Sequence, residues 1–354
     1  MSKLKVGILG ATGLVGQLMT YYLSRHPWFE VMYLGASKAS AGKKLREVVQ
    51  EKYVPKPIPD EVGDLVVEEI VPEKIPKELD IVFSALPPNI AKDIEIELVK
   101  RGFTVVSNAS PYRLDSDVPL INPEVNLDHL ELLKLQERNR GWRGKLVKNP
   151  NCTAAILTLA LKPILDNFGI KKVIVATMQS VSGAGYPGVS SLDIIDNVVP
   201  YIPNEEEKVE NESRKILGKL TGEGIEWANI RISATCTRVP VLEGHLETVF
   251  VETEKDCSIE EITKVLEEFR GPPQEMKLPT APEKPIVVRY EVNRPQPRLD
   301  RWIYEGMAVV VGRIRKESAF KKGVKFVLLG HNLARGAAGI AVLIAEAMVK
   351  LGYI

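Results

Sequence analysis

The sequence predicts an α/β protein of two domains, an N-terminal doubly wound domain and an α+β domain with a mostly antiparallel sheet. A chain of 354 residues exceeds the length that one hydrophobic core usually serves. In the N-terminal part, short apolar runs alternate with amphipathic runs, which is typical of a parallel sheet with helices on both faces. Beyond residue 152, strand-like runs and separate helical segments indicate an α+β arrangement.

The N-terminal domain is predicted to begin with a βαβ unit, because strand, glycine-rich turn, helix and strand follow within about 30 residues. The predicted strands cover residues 5–9, 29–34, 80–84 and 104–107. The predicted helices cover residues 14–25 and 91–100. This alternation places the strands side by side in one parallel sheet.

The second domain is predicted to start at Cys152, where a helix begins. Its predicted strands cover residues 172–179, 231–238, 247–253, 286–289 and 307–315, and its predicted helices cover 205–217 and 259–269. A last apolar helix is predicted over 333–351. We therefore expect one domain over 1–151, a second domain over 152–331, and a C-terminal helix over 332–354 that returns to the first domain.

Composition and charge exclude several classes of function. The 47 basic and 46 acidic residues give a net charge of +1, and the lysines and arginines are scattered, so a nucleic-acid partner is not indicated. No apolar run approaches the length of a membrane span. The three cysteines and four histidines lack the spacing of a metal site or a disulfide framework. We expect a cytoplasmic protein without a metal.

A glycine-rich turn between the first strand and the first helix predicts a dinucleotide site of the Rossmann type. The turn carries glycines at 7, 10, 13 and 16. Glycine permits a tight turn and a close approach of the backbone to a pyrophosphate, and the helix N-terminus offers free N–H groups to it. The residues expected to contact the cofactor are Gly10, Thr12, Gly13, Leu14 and Val15. The alternative is a tight turn that binds nothing.

The end of the second strand favours NADP over NAD. NAD enzymes usually carry a carboxylate there for the ribose hydroxyls, whereas this chain has Ser37, Lys38 and Ser40. Hydroxyls and a lysine suit a 2′-phosphate, although an exposed polar turn would have the same composition. Ser84, Ala85 and Leu86 end another strand and are expected on the nicotinamide side, or else they form a plain turn.

Cys152 is the candidate nucleophile. It follows Asn149-Pro150-Asn151 and begins a helix, where the helix dipole stabilises a thiolate and lowers its pKa. Most free cysteines are inert core residues, so this position alone does not identify Cys152 as a nucleophile. Arg238 and His245, seven residues apart in the second domain, supply a candidate carboxylate ligand and a candidate general base.

Six motifs in order resemble the aspartate-semialdehyde dehydrogenases, most closely the archaeal and fungal branch. The motifs are GATGLVG, SNASPYR (107–113), NPNCTAA, QSVSGAGYPG (179–188), RVPVLEGH and HNLARGAAG (331–339). The resemblance covers essentially the whole chain. It implies that NADPH reduces L-4-aspartyl phosphate to the semialdehyde through a cysteine thioester, on the route to lysine, threonine and methionine.

The resemblance also implies a role for each matching position. Cys152 would be the nucleophile, His245 its base, and Gln179 the residue that orients the acyl group. The substrate ligands would be Arg238 for the carboxylate, Arg113 and Asn108 for the phosphate, Glu212 for the amine and Lys215 for the phosphate. Ser182, Gly183 and Asn332 would line the cofactor site.

Two alternatives remain open in the sequence. Malonyl-CoA and succinyl-CoA reductases share this scaffold, and residues 186–197, 278–288 and 300–302 look like that branch, whereas NPNC and SNASPYR look like the phosphorylating branch. A catalytically silent NADP-binding redox sensor is the other alternative, which the combined presence of Cys152 and His245 disfavours. The resemblance implies that residues 1–151 form a dinucleotide-binding domain and residues 152–331 a catalytic and dimerisation domain. It also implies a homodimer or homotetramer.

Overall fold

The computed structural model describes residues 2–50 and 52–354, and within them the N-terminal part forms one sheet of six parallel strands. Their order is β3-β2-β1-β4-β5-β6. The strands are β1 (Leu4–Leu9), β2 (Phe29–Ala36), β3 (Val67–Glu69), β4 (Ile81–Ser84), β5 (Thr104–Ser107) and β6 (Lys145–Lys148). The order reverses at β1, and in such sheets a ligand binds beyond the carboxyl ends of the strands at that point.

Helices connect the strands of this sheet. They are α1 (Leu14–Ser24), α2 (Leu45–Val49), α3 (Asp60–Gly63), α4 (Pro88–Lys100), α5 (Pro123–Asn126) and α6 (Leu132–Arg140). Strands β3 and β6 and helix α6 were not predicted from the sequence. The two strands are only three and four residues long, and α6 is rich in charged residues, so their stretches show little periodicity. The parallel, doubly wound sheet itself is confirmed.

The second sheet has six strands within the described residues, in the order β10-β7-β11-β14-β13-β12. Its strands are β7 (Ile170–Gln179), β10 (Arg231–Arg238), β11 (His245–Thr253), β12 (Ile286–Arg289), β13 (Val309–Glu317) and β14 (Gly323–Gly330). Strands β8 (Lys219–Thr221) and β9 (Gly224–Glu226) form a separate hairpin. Three of the five pairings in the large sheet are antiparallel and two are parallel, so the sheet is mixed.

Three helices, α7 (Cys152–Phe168), α9 (Glu205–Ile216) and α10 (Ile259–Glu268), cover one face of the second sheet. The short helices α8 (Ser191–Ile194), α11 (Pro272–Glu275) and α12 (Pro297–Asp300) lie in the segments between its strands. In β11 the odd-numbered residues are buried on the face that α7 covers, and the even-numbered ones are half-buried. On the uncovered face, β7 leaves Ile174 45% exposed. An apolar residue at that position indicates a face that another surface can cover.

The C-terminal helix packs into the core of the first sheet. A π-helical turn, Ala334–Ala338, precedes α13 (Gly339–Lys350). The sequence predicted one uninterrupted helix over 333–351. Ile340, Leu343 and Ile344 are fully buried in the same cluster as Leu18 and Phe83. The helix therefore contributes to the N-terminal core, although it follows the second sheet in the chain.

Candidate active site

Three of the predicted site residues stand at one edge of the second sheet. Gln179 ends β7 and Arg238 ends the parallel strand β10, and these two residues are register partners. His245 begins β11, which is antiparallel to β7, so the start of β11 lies beside the ends of the other two strands. The topology thus brings together residues that are 66 positions apart in the chain.

Cys152 reaches this edge from the start of α7. The side-chain oxygen of Asn151 accepts hydrogen bonds from the backbone nitrogens of Thr153 (2.9 Å) and Ala154 (3.1 Å), so Asn151 is the N-cap. The sulfur of Cys152 lies 3.2 Å from Nε2 of His245. Thiol and imidazole are therefore within reach of direct proton exchange.

The expected lowering of the pKa of Cys152 is wrong. Burial, helped by the charge of Glu205 and opposed by that of Arg238, raises the pKa of its thiol to about 12. The helix N-terminus is present, but the cost of placing a charged sulfur away from water outweighs it. Cys152 is consequently a neutral thiol at pH 7.

The surroundings of His245 favour the neutral form of its imidazole. Burial lowers its pKa well below the usual value, and the nearby charge of Arg238 acts in the same direction. Its Nδ1 accepts a hydrogen bond from the backbone nitrogen of Ser180 (3.1 Å) and lies 3.2 Å from the Ser180 hydroxyl. That hydroxyl donates to Oδ1 of Asn332 at 3.1 Å. The ring is held at both nitrogens.

Arg238 faces the same space as His245. Its Nη1 donates to the carbonyl of Ser180 at 2.7 Å. A Cβ on residue 183 would stand 2.7 Å from this nitrogen and 3.1 Å from Cε1 of His245, so Gly183 is the residue that lets guanidinium and imidazole approach the loop. Gln179 is buried beside them and donates from Nε2 to Oγ1 of Thr177 at 3.3 Å.

Arg113 and Asn108 lie on the cofactor-domain side of Cys152. Nη1 of Arg113 pairs with Oε1 of Glu212 at 2.9 Å, and its Nη2 donates to the carbonyl of Asn108. Nε of Arg113 is buried without a hydrogen-bond partner among the described residues. Oδ1 of Asn108 accepts from Nδ2 of Asn149 at 2.7 Å. A second cationic site therefore exists, separate from Arg238.

Glu212 and Lys215 are buried and make hydrogen bonds within the chain. Oε2 of Glu212 accepts from the backbone nitrogen of Asn151 at 2.6 Å, so both of its oxygens are occupied. The ammonium of Lys215 donates to the carbonyls of residues 113, 115 and 118 at 2.7, 2.7 and 2.9 Å. Burial lowers the pKa of Lys215 to about 8. Both residues fix the segment that carries Arg113.

The glycine-rich turn has the geometry of a phosphate cradle. Gly10 has φ +79°, and a Cβ there would stand 2.6 Å from the carbonyl oxygen of Ala85. Helix α1 begins after Gly13 without a side-chain cap, so the first N–H groups, including those of Leu14 and Val15, are free to bind an anion. The carbonyl of Thr12 accepts a hydrogen bond from Gln17.

A cavity of about 450 Å³ lies beyond the end of β2. It is lined by Ala39, Lys43, Glu47, Val48, Gln50, Lys52 and Tyr186. Ser37 and Lys38 are exposed near its rim, whereas Ser40 is buried. Two lysines in this lining, Lys43 and Lys52, were not predicted from the sequence, because they lie beyond the turn that directly follows β2.

The ends of β4, β5 and β6 are joined by a buried network. Oε1 of Glu95 accepts from the hydroxyls of Ser84 (2.7 Å) and Ser107 (2.6 Å), and its other oxygen forms an ion pair with Lys148. The segments that follow these strands carry Ala85 with Leu86, Asn108 with Arg113, and Cys152. One fully buried ion pair therefore supports three parts of the site, which the sequence alone did not indicate.

The described residues contain neither a membrane-spanning helix nor a cluster of metal ligands. Over residues 2–50 and 52–354, no helix is long and apolar enough to cross a membrane. In the same part of the chain, no three His, Cys, Asp or Glu side chains are grouped as metal ligands.

Comparison with known proteins identifies relatives along almost the whole chain. Residues 5–133 match the family described as semialdehyde dehydrogenase, NAD binding domain, and residues 161–335 match semialdehyde dehydrogenase, dimerisation domain. An aspartate-semialdehyde dehydrogenase of Archaeoglobus fulgidus is 50% identical over 345 residues, 98% of each chain. The malonyl CoA reductase (NADP) of Metallosphaera sedula is 42% identical over 355 residues, 99% of this chain and 98% of that one.

Solved structures show the same fold. The structure of aspartate semialdehyde dehydrogenase with NADP from Candida albicans superimposes with a TM-score of 0.89 at 40% identity, covering 99% of both chains. An aspartate semialdehyde dehydrogenase II complexed with ASA from Vibrio cholerae matches with a TM-score of 0.77 at 28% identity, again over 99% of both chains.

Proposed function

This chain belongs to the semialdehyde dehydrogenase family, and we propose that it is an NADP-dependent aspartate-semialdehyde dehydrogenase acting on L-4-aspartyl phosphate. The observation that carries the proposal is the 3.2 Å approach of Cys152 and His245, with the charges of both Arg238 and Arg113 acting on the thiol. A cysteine forms a thioester, which is an activated acyl group, and the two anionic ends of aspartyl phosphate need two separate partners.

Each of the two arginines suits one anionic end of the substrate. Arg238 lies beside His245 and suits the α-carboxylate. Arg113, with Asn108 next to it, follows β5 in the first domain and suits the phosphate; its buried, unpartnered Nε is a free donor. Glu212 and Lys215 hold the Arg113 segment in place, and Gln179 suits the orientation of the acyl group.

The chemistry then proceeds in three steps. The thiol of Cys152 gives its proton to His245, its sulfur bonds to the acyl carbon, and the C–O bond to phosphate breaks, leaving a thioester. Reduction of this thioester takes the hydride that NADPH would supply when bound. The proton on His245 passes to the resulting oxyanion to give a thiohemiacetal. His245 then takes the hydroxyl proton as the C–S bond breaks, and the proton returns to the sulfur of Cys152.

The residues present fit a bound NADP. The cradle at Gly10 leaves no room for a side chain, and the uncapped start of α1 suits the pyrophosphate. Ser37, Lys38 and Ser40 stand beside the cavity beyond β2, where the lysines of its lining suit the 2′-phosphate. We propose Ser84, Ala85, Leu86, Ser182, Gly183 and Asn332 for the nicotinamide side.

We also propose the domain division 1–151, 152–331 and 332–354, and a cytoplasmic homodimer or homotetramer. Packing of α13 with the first sheet supports the third segment. The uncovered face of the second sheet, with Ile174 exposed on β7, supports a two-fold interface. Sedimentation of the wild type against Ile174→Glu tests the interface, because a charge there should shift the protein towards monomer.

A CoA-thioester reductase is the second candidate, because one of the relatives is a malonyl CoA reductase. The decisive assay follows NADPH oxidation with β-aspartyl phosphate, run beside malonyl-CoA and succinyl-CoA. Rapid oxidation with aspartyl phosphate alone is the expected result. Oxidation with the CoA thioesters alone would overturn the proposed substrate. Cys152 would remain the nucleophile and His245 its base. Equal KM values for NAD and NADP would overturn the cofactor preference.

A further inference from the structure

Glu243, two residues before His245, is a buried carboxylate that the proposed mechanism does not use. It is 1% exposed. One of its oxygens, Oε1, accepts a hydrogen bond from the hydroxyl of Tyr53 at 2.9 Å. The other, Oε2, lies 3.3 Å from Nε2 of His331 and 3.6 Å from Nε of Arg301. This carboxylate therefore joins three segments that are far apart in the chain.

The ring of His331 is held in one orientation beside this carboxylate. Its Nδ1 accepts hydrogen bonds from the backbone nitrogens of Leu333 (3.2 Å) and Ala334 (3.3 Å). Burial lowers the pKa of His331, which favours the neutral ring. Because both backbone groups are donors, the proton of the neutral ring is on Nε2, the nitrogen that faces Glu243. The ring of Trp302 packs against the imidazole, with 4.1 Å between the ring centres.

The pair of Glu243 and His331 joins the two segments that carry His245 and Asn332. At the next position along both segments, the backbone nitrogen of Gly244 donates to Oδ1 of Asn332 at 2.9 Å. His245 follows at once and begins β11. A displacement of the carboxylate therefore moves the backbone that places both the base and the residue proposed for the nicotinamide side.

The segment that follows α2 in the first domain contacts both members of this pair. The hydroxyl of Tyr53 binds the carboxylate. Three residues later, Nζ of Lys56 stands 4.2 Å from the centre of the Trp302 ring, which packs against the imidazole. Lys52, the residue before Tyr53, lines the cavity beyond β2. One tyrosine thus connects the cavity that suits the 2′-phosphate with the loop that carries the base.

The hydroxyl of Tyr53 has an alternative partner in water, because the residue is 37% exposed. In the hydrogen-bonded position, Nζ of Lys52 stands 5.8 Å from the centre of the Tyr186 ring, and both residues line the cavity beyond β2. A phosphate that binds Lys52 in this position stabilises it relative to the hydrated one, since a ligand shifts an equilibrium towards the state that it binds more tightly.

We propose that Tyr53 and Glu243 are positioning residues that link the 2′-phosphate of the cofactor to the placement of His245. Occupation of the cavity beyond β2 stabilises the hydrogen bond between them. This bond holds the backbone from which His245 meets the thiol of Cys152. The proposal rests on the proposed function and adds to it a reason why the adenosine end of the cofactor affects the reacting end.

The test uses adenosine 2′,5′-bisphosphate, which carries the 2′-phosphate but has no nicotinamide. Alkylation of Cys152 by iodoacetamide is followed at fixed pH with and without saturating bisphosphate in the wild type, Tyr53→Phe, Glu243→Ala and Tyr290→Phe. Calorimetry gives the Kd of the bisphosphate for each protein. Tyr290 provides the matched control, because its hydroxyl also donates to a carboxylate, that of Glu267, on the exposed surface.

In the wild type, the bisphosphate should accelerate alkylation on the order of 5-fold or more, the lower end of ordinary coupling between two sites. The cause is an imidazole that is better placed to take the thiol proton. In Tyr53→Phe the acceleration should be lost although the bisphosphate still binds, and Tyr290→Phe should behave as the wild type. Glu243→Ala removes the acceptor instead of the donor and should lose the acceleration as well.

Three results would overturn the proposal. A change of the same size in Tyr53→Phe as in the wild type would show that the effect does not pass through Tyr53. Bisphosphate that binds the wild type without changing the alkylation rate would show that no link exists. Bisphosphate that does not bind at all would overturn the NADP assignment of the cavity together with this proposal, and calorimetry separates that result from the second. If Glu243→Ala does not fold, Tyr53→Phe decides alone.

Discussion

Nδ1 of His245 lies 3.1 Å from the backbone nitrogen of Ser180 and 3.2 Å from the hydroxyl oxygen of the same residue. The backbone nitrogen is always a donor, so it favours the neutral ring whose proton is on Nε2. The hydroxyl donates to Asn332 and can therefore accept a proton held on Nδ1. Ser180 thus presents His245 with one donor and one acceptor.

The hydroxyl decides whether His245 can serve as a base. To take the thiol proton, the ring needs its lone pair on Nε2, and the proton on Nδ1 then needs an acceptor. Among the described groups around Nδ1, the Ser180 hydroxyl is the one that accepts. Ser180→Ala should therefore lower kcat on the order of 10²-fold, within the range of general base catalysis, and leave the KM for NADP unchanged.

The check is kcat across pH for Ser180→Ala, His245→Ala and the double variant. His245→Ala should lower kcat by about 10²–10⁴-fold, and the double variant should be no slower, because both changes remove one function. Loss of the acceptor lowers the pKa of His245 further, so its limb of the pH profile should move to lower pH. Additive losses in the double variant would give Ser180 a separate role.

The raised pKa of Cys152 predicts how its reaction with iodoacetamide depends on pH. With a pKa of about 12, the thiolate fraction rises tenfold for each pH unit over the range 7 to 10. Inactivation of the enzyme should accelerate accordingly without reaching a plateau. A rate that is flat across this range would instead indicate a thiolate already formed at pH 7. Cys152→Ser, which keeps the two buried cysteines, provides the background labelling.

Most of the fold was accessible from the sequence because periodicity and glycine placement are local features. The strands 104–107, 231–238 and 286–289 were predicted with the observed bounds. Strand β14 was missed, although it lies at the centre of the second sheet between β11 and β13. Its run of apolar residues, broken by Lys325, resembles a helical segment as much as a strand. Only its pairing with β11 and β13 shows that it is a strand.

The site was only partly accessible, since its electrostatics depend on burial. A cysteine at a helix N-terminus correctly indicated the position, but its pKa reflects the surrounding packing and is shifted in the other direction. Glu95 and Lys148 carry no motif and gain their importance from contacts with distant segments. The sequence indicates such residues only as charges in otherwise apolar or helical runs.

The ion pair between Glu95 and Lys148 predicts a specific pattern of stability. Both side chains are fully buried, and the serines at positions 84 and 107 complete their hydrogen bonds. Lys148→Met alone leaves a buried unpaired carboxylate and should lower the free energy of unfolding by about 3–5 kcal/mol. The double variant with Glu95→Gln should recover most of this loss, because Gln can still accept from the two hydroxyls.

Urea unfolding of the single and double variants measures this coupling. The control is Lys162→Met, which breaks the partly exposed pair with Asp166 and should change the free energy of unfolding by about 0–1 kcal/mol. If the double variant is no more stable than Lys148→Met, the loss comes from packing at Lys148 rather than from the unpaired charge of Glu95.

Gly336 sets the position of the nucleophile through direct contact. A Cβ on this residue would stand 2.5 Å from Cβ and 2.9 Å from Cα of Cys152, so the π-helical turn before α13 can approach α7 only with glycine here. Gly336→Ala should displace the sulfur from His245. A displacement near 1 Å lowers kcat on the order of 10²-fold, while the KM for NADP should stay unchanged.

The matched control for this variant is Gly222→Ala, where an added Cβ meets no atom within 4 Å. It should keep the wild-type kcat and the wild-type rate of Cys152 alkylation. Gly336→Ala should be alkylated at a changed rate, because its sulfur no longer faces the imidazole. Wild-type kcat in Gly336→Ala would mean that α7 yields without moving the sulfur, and the contact would then matter for packing alone.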